Sequence, residues 1–196
     1  MSQNVYYSFA HTQTRLENGE NVVVNNEKEL KNSDLSNLYA VLLKLKPTSI
    51  YEVGYRMGAT LVSLRNLLPD TKLAGAEKED LNSSYSQRLF KTWSKNISLE
   101  VRNFLDILIG MMKYEVVYTR DTLNNYSIDE QKKIIGNMSD IADKYIIIAV
   151  NLLEKVLIDF LIELGWSLIS SENNIYVFQK NQKVENNASI SSKSVK

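Results

Sequence analysis

The chain has 196 residues, of which 44% are hydrophobic and 23% are charged, a composition typical of one globular domain. Basic and acidic residues are equal in number, so the formal net charge is zero, which argues against a broad basic face for duplex nucleic acid. The lack of cysteine excludes disulfides, thiolate zinc sites and a cysteine nucleophile, and it is compatible with a cytoplasmic location.

The first 32 residues are polar and aperiodic, without the apolar run of a signal peptide, and we interpret them as an N-terminal extension. A helix is predicted to follow, because Ser33 or Asp34 can cap it. Leucines then recur on one helical face: Leu35, Leu38, Leu42 and Leu45. Pro47 ends this helix and marks the start of a different pattern.

After Pro47, strand and helix signals alternate, as expected for a parallel, doubly wound α/β sheet. The predicted strands are Ser49–Val53, Lys72–Ala76, Ile97–Val101, Tyr114–Thr119 and Lys144–Val150. The predicted helices lie at about 61–68, 82–93, 128–142 and 152–164. None of the apolar stretches is long and uninterrupted enough to span a bilayer.

The end of the chain has a different pattern. Gly165 is predicted to end the last helix in a left-handed conformation. Trp166–Ser170 and Ile175–Lys180 are separated by four residues, too few for a parallel crossover, so they are predicted to form an antiparallel hairpin. Residues 181–196 are rich in Ser, Asn and Lys and are predicted to be a disordered tail.

The strongest chemical signal is the turn after the first predicted strand, Glu52-Val53-Gly54-Tyr55-Arg56-Met57-Gly58. An acidic strand end followed by a glycine turn leads into a helix at the edge where open α/β sheets bind ligands. Glycine there lets a ligand approach the backbone closely. A dinucleotide fingerprint requires glycine at position 56, where this chain has arginine, so the spacing disfavours a dinucleotide.

The pattern Glu-x-Gly-x-x-x-Gly resembles motif I of the class I S-adenosylmethionine-dependent methyltransferases. Later segments are similar, in order, to the second, third and fourth strands of that family: Leu73–Glu77, Leu99–Asn103 and Tyr114–Asp121. The resemblance covers residues 34–180. It implies a Rossmann-like methyltransferase domain over 33–180, with a mostly parallel sheet and a C-terminal antiparallel hairpin, and it implies S-adenosyl-L-methionine as cofactor.

The same resemblance implies site residues at the strand ends. The cofactor-binding candidates are Glu52, Gly54, Tyr55, Arg56, Gly58, Glu77 and Asn103. Glu77 is expected to accept hydrogen bonds from ribose hydroxyls, and Asn103 to contact the adenine. If the acceptor must lose a proton, the candidate catalytic residues are Tyr118, Arg120 and Asp121. The chain departs from the family twice, since Arg56 replaces a middle glycine and Asn103 replaces an acid.

Several methyl acceptors are disfavoured. Without cysteine, covalent attack on cytosine C5 is excluded. The run Tyr118-Thr119-Arg120-Asp121 lacks the Asn/Asp-Pro-Pro-Tyr/Phe pattern of amino-group methylation on DNA bases. With His11 as the single histidine and no acidic cluster, no metal site is expected. A small molecule is the favoured acceptor, a protein or an RNA end stays open, and no membrane partner is expected.

Other interpretations also stay open. Gly54 and Gly58 could merely shape a turn, Glu77 could be a surface acid, and Asp121 could cap the next helix. The chain would then be a non-catalytic methyltransferase-like binding or assembly module, which Arg56 favours. A weaker alternative is a nucleic-acid-binding protein that uses the tail lysines and a basic helix face: Arg88, Lys91 and Lys95.

Overall fold

The structure, a computed structural model, describes residues 33–55, 58–78, 97–106 and 112–181. The predictions made for residues 1–32, for Arg56, for the helix at 82–93 with its basic face, and for the tail from residue 182 onward lie outside the described residues. The described segments contain seven strands, which form one continuous sheet, and four α-helices.

The sheet is mostly parallel. Its strands are β1 (Ser49–Val53), β2 (Lys72–Glu77), β3 (Ile97–Val101), β4 (Tyr114–Arg120), β5 (Ala142–Ala149), β6 (Trp166–Glu172) and β7 (Ile175–Lys180). Their order is β3-β2-β1-β4-β5-β7-β6. The strands from β3 to β5 are parallel, whereas β7 is antiparallel to both β5 and β6. The predicted fold is confirmed, and the order reverses between β1 and β4, where such sheets open a crevice.

The helices cover both faces of the sheet. They are α1 (Ser33–Leu45), α2 (Ala59–Leu67), α3 (Ile128–Ile141) and α4 (Lys155–Glu163). A capping box begins α3: the Ser127 hydroxyl accepts from the Glu130 amide, and the Glu130 carboxylate accepts from the Ser127 amide. None of the helices in the described part of the chain is long and apolar enough to cross a membrane.

Two apolar clusters hold the helices to the sheet, one on each face. On the first face, leucines of α1 and α2 pack on Ile50 and Val116. On the second face, α3 and α4 pack on Tyr51 and Val117, the next residues along the same two strands. Successive strand side chains point to opposite faces, so this alternation gives β1 and β4 two buried faces and places them at the centre of the domain.

The C-terminal hairpin is tighter than predicted. Its strand β6 continues to Glu172, and the turn consists of Asn173 and Asn174, whose φ angles are 53° and 61°. Two-residue hairpin turns require left-handed backbone, which asparagine adopts more readily than most residues. Ser171 and Glu172, which the prediction placed in the connection, therefore belong to β6, because pairing with β7 satisfies their backbone.

Candidate functional site

The glycine turn lies at the carboxyl end of β1, and its backbone is fixed to β2. Gly54 has φ 83° and Gly58 has φ 76°, both left-handed. The Gly54 and Tyr55 amides donate to the Ala76 carbonyl at 2.8 and 3.3 Å, and the Gly58 amide donates to the Tyr55 carbonyl at 2.7 Å. These three amides are thus satisfied within the protein, which leaves the first-turn amides of α2 for a ligand.

The N-terminus of α2 faces this crevice. Its N-cap residue, Gly58, has no side chain that could accept from the first-turn amides. Such a helix start, with its positive dipole end, can receive an anionic group of a ligand. Thr60 lies in the first turn and is buried, with 3% of its surface exposed. The sequence analysis did not single out Thr60, although a hydroxyl residue two positions after the second glycine is a visible signal.

Glu52 is buried on the α1 side of the sheet, with 2% of its surface exposed. Its register partner on β4 is Tyr118, which is fully buried. Burial raises the pKa of Tyr118 well above its usual value, and the charge of Glu52 and the nearby Tyr39 raise it further. Tyr118 therefore keeps its proton and lies beside Glu52 inside the core, away from solvent.

The ring of Tyr55 also packs inward, against β2. Tyr55 is buried in the same cluster as Leu61. A Cβ atom at Gly75 would lie 2.9 Å from the Glu52 carbonyl oxygen, 3.1 Å from Leu61 Cδ1 and 3.3 Å from Tyr55 Cδ1. Gly75 thus makes room for the glycine turn to cross β2, a role that the sequence analysis missed because nothing in the β2 pattern shows what packs there.

The end of β2 carries two charged residues, Glu77 and Lys78. Glu77 is half-buried, and its Oε1 accepts from the Lys78 amide at 2.8 Å. The Lys78 ammonium lies 5.4 Å from the centre of the Tyr126 ring, a cation–π contact. Since Tyr126 belongs to the loop after β4, this contact joins the ends of β2 and β4 across the end of β1.

The segment after β3 is held by α3. Asn103 is exposed, and its Oδ1 accepts from the Leu105 amide at 3.1 Å. The buried Asn137 of α3 donates through Nδ2 to the carbonyls of Phe104 and Asp106, both at 2.8 Å. Asn103 therefore lies on an anchored segment at the same sheet edge as Glu77.

The end of β4 supplies the other candidates. Arg120 lies on the same face of β4 as Tyr118 and is half-buried, and its charge lowers the pKa of Tyr118 slightly against the larger opposing effects. Asp121 is half-buried with a left-handed backbone, φ 55°, and its amide donates to the Ala149 carbonyl at 3.0 Å. The Thr119 hydroxyl donates to the Val53 carbonyl at 2.9 Å and so ties β4 to the end of β1.

The structure therefore separates the predicted site residues into groups. At the carboxyl edge of the sheet lie Gly54, Gly58, Glu77, Asn103 and Asp121. The side chains of Glu52, Tyr55 and Tyr118 are in the core beneath that edge. The space that a Cβ atom at Gly54 would occupy is filled by the side chain of Thr122. Among the described residues, no group of three or more His, Asp or Glu side chains is placed to hold a metal ion.

A second polar cluster lies on the opposite face of the sheet. The Tyr51 hydroxyl donates to the Glu100 carboxylate, which also forms an ion pair of 3.2 Å with Arg102. Burial raises the pKa of Tyr51, and the bond to Glu100 raises it further. The cluster connects β1 to β3 across the small residues Ala74 and Ala76 of β2, and it was not predicted from the sequence.

Solved methyltransferase structures share this fold. Magnesium protoporphyrin IX methyltransferase from Synechocystis PCC 6803 with bound S-adenosylhomocysteine matches with a TM-score of 0.66 at 15% identity, over 91% of this chain and 98% of that one. N-methyltransferase NodS from Bradyrhizobium japonicum WM9, also in complex with S-adenosylhomocysteine, matches with a TM-score of 0.60 at 15% identity, over 91% and 100%.

An O-methyltransferase family protein from Burkholderia thailandensis matches with a TM-score of 0.61 at 10% identity, over 92% of this chain and 73% of that one. At these identities the comparisons show that the fold is that of the class I methyltransferases. No family model and no curated protein sequence matches the chain.

Proposed function

We propose that this chain, which has the class I methyltransferase fold, is an S-adenosylmethionine-dependent methyltransferase of the cytoplasm. The observation that carries the proposal is the arrangement at the β1–β4 switch point. There a left-handed glycine turn leads into a helix without an N-cap side chain, and the carboxylate of Glu77 lies at the neighbouring strand end.

The residues at this edge fit the parts of S-adenosylmethionine. The α2 N-terminus and the Thr60 hydroxyl would hold the carboxylate of its amino-acid end. Glu77 would accept from the ribose hydroxyls, and the segment that carries Asn103 would border the adenine. The buried Glu52 would stabilise the glycine turn from the core side and place negative charge near the cofactor's ammonium group.

The cofactor supplies a methyl group that is already activated on a sulfonium. The protein mainly has to align it with the acceptor, and proximity and orientation are worth ~7–11 kcal/mol in such reactions. Asp121 is the favoured residue for removing a proton from the acceptor, with Arg120 beside it for charge stabilisation. Tyr118 is a weaker candidate for the base, because its burial and raised pKa keep it protonated.

We favour a small molecule as the acceptor. The zero net charge and the lack of an Asn/Asp-Pro-Pro-Tyr/Phe motif argue against duplex DNA. One structural neighbour is described as a magnesium protoporphyrin IX methyltransferase, so the fold accommodates small acceptors in at least that case. A protein or an RNA end is the alternative acceptor class.

The test is calorimetric titration with S-adenosylmethionine and S-adenosylhomocysteine. We expect binding by the wild-type protein and a large loss of affinity in Gly58→Ala. Gly165→Ala is the matched control, because Gly165 also has a left-handed backbone, φ 89°, but lies in open space after α4. Both variants strain the backbone, and only the first should weaken the ligand. Wild-type protein that binds neither compound at millimolar concentration would contradict the proposed function.

A further inference from the structure

The loop after β4 is fitted into the glycine turn through one side chain. A Cβ atom at Gly54 would lie 2.0 Å from Thr122 Oγ1 and 2.9 Å from Thr122 Cγ2. Thr122 is 6% exposed, so it fills the space that the missing Gly54 side chain leaves. The two loops that meet at the crevice are therefore interlocked, and neither can shift alone without a clash or a cavity.

The residue just before Thr122 has an unusual backbone. Asp121 has φ 55°, a left-handed conformation that is unfavourable for residues with a Cβ atom and persists only where the surroundings impose it. One restraint is the hydrogen bond from the Asp121 amide to the Ala149 carbonyl, 3.0 Å long. That bond fixes one side of the residue, so a second restraint is needed on the other.

The Thr122 hydroxyl supplies it. Its Oγ1 lies 3.2 Å from the Arg120 carbonyl and 3.3 Å from the Val53 carbonyl. A hydroxyl has one proton to donate. Both carbonyls can accept from it, since a carbonyl oxygen has two lone pairs, and the shorter of the two distances is the one to Arg120. A bond from residue 122 to the carbonyl of residue 120 closes a ring around Asp121.

We propose that Thr122 is a positioning residue that holds Asp121 in its left-handed conformation and couples the β4 loop to the glycine turn. The Thr122 Oγ1 atom serves both parts, because it lies within hydrogen-bonding distance of the Arg120 carbonyl and is also the atom nearest the position that a Gly54 Cβ atom would occupy. The coupling to cofactor rests on the proposed function, whereas the restraint on Asp121 does not. The two parts are therefore tested by separate measurements.

The restraint is tested by thermal unfolding. Thr122→Val keeps the shape but removes the hydroxyl, and we expect it to lower Tm by about 2–4 °C. Thr122→Ser keeps the hydroxyl and should lower Tm less. In an Asp121→Gly background the effect of Thr122→Val should largely vanish, because glycine adopts positive φ without restraint. Asp121→Asn is the control that removes the charge but keeps the Cβ atom. Equal Tm losses in the glycine and asparagine backgrounds would overturn the restraint.

The coupling is tested by hydrogen exchange over residues 119–126, with and without S-adenosylhomocysteine. We expect the ligand to slow exchange there in wild type and Thr122→Ser, and to do so far less in Thr122→Val at equal ligand saturation. The same protection in Thr122→Val would overturn the coupling. Absence of wild-type binding would instead contradict the proposed function, and the Tm comparison would still decide the role of Thr122.

Discussion

At the scale of single residues, the glycines of this chain serve different purposes. Gly54 has a positive φ, and the side chain of Thr122 lies where its Cβ atom would be. Gly165 has a positive φ but no close neighbours, and Gly75 has close neighbours but no positive φ. Gly136, inside α3, has nothing within 4 Å of the position a Cβ atom would occupy. These contacts, rather than the residue type, decide what each substitution does.

We therefore expect Gly75→Ala and Gly136→Ala to have opposite effects on the free energy of unfolding. Gly75→Ala forces an atom against the Glu52 carbonyl, which belongs to the backbone and cannot rotate away, and should destabilise the fold by about 1–3 kcal/mol. Gly136→Ala adds a good helix former in open space and should stabilise it by about 0.5–1 kcal/mol. Urea denaturation measures both, and an unchanged midpoint in Gly75→Ala would refute the packing argument.

Glu77→Gln tests whether the predicted site binds the cofactor or has only kept the fold of such a site. The change keeps the size and removes the charge and one acceptor, so it should weaken S-adenosylmethionine by about 1.5–3 kcal/mol, or roughly ten- to a hundred-fold. Its pair is Glu172→Gln on the exposed edge strand β6, which should leave the affinity unchanged. Calorimetry gives the affinities and melting curves verify folding. Equal affinities in all three proteins would remove Glu77 from the site.

At the scale of elements, one carboxylate joins three strands at the amino edge of the sheet. Glu115 of β4 accepts from the Thr48 amide and hydroxyl at 2.9 and 2.8 Å, just before β1, and from the Lys144 ammonium of β5 at 2.8 Å. Burial alone would raise the pKa of Glu115, but the bonds to Lys144 and Thr48 outweigh it and lower the pKa below 4.5.

A lowered pKa in the folded state means that Glu115 stabilises the fold above its ordinary pKa, and that this contribution is lost as the pH falls through the folded value. We expect Glu115→Gln to lower the free energy of unfolding at neutral pH by about 1–3 kcal/mol. The difference in free energy of unfolding between wild type and Glu115→Gln should then become smaller below about pH 4.5. Denaturation curves from pH 3 to 7 test this, and a difference independent of pH would contradict it.

Most element bounds could be predicted from the sequence, and most side-chain contacts could not. The strands Ser49–Val53, Ile97–Val101 and Ile175–Lys180 were predicted to the residue, because apolar runs between turn signals reflect local burial. The contact of Thr122 with Gly54, and that of Tyr118 with Glu52, join positions more than 65 residues apart. Nothing local in either segment specifies its partner, so the site's residues could be placed at an edge but not oriented.

At the scale of the whole molecule, the last strand of the described residues occupies an inner position in the sheet. Strand β7 pairs with β5 on one side and β6 on the other, and Phe178 within it is fully buried. A chain that stops at Asn174 should therefore fail to fold, whereas one that stops at Asn181 should retain a cooperative melting transition. Circular dichroism measures both. A folded shorter chain would show that the parallel part of the sheet is stable alone.

The position of β7 also has a consequence for biosynthesis. A ribosome releases β5, α4 and β6 before β7, so the nascent chain exposes the hydrogen-bonding edge of β5 until β7 emerges. That edge belongs to the run Tyr145–Ala149, which is rich in isoleucine and could pair with another nascent chain. Synthesis of β7 thus protects the edge of β5 from aggregation, and a nascent chain that terminates between β5 and β7 would keep that edge exposed.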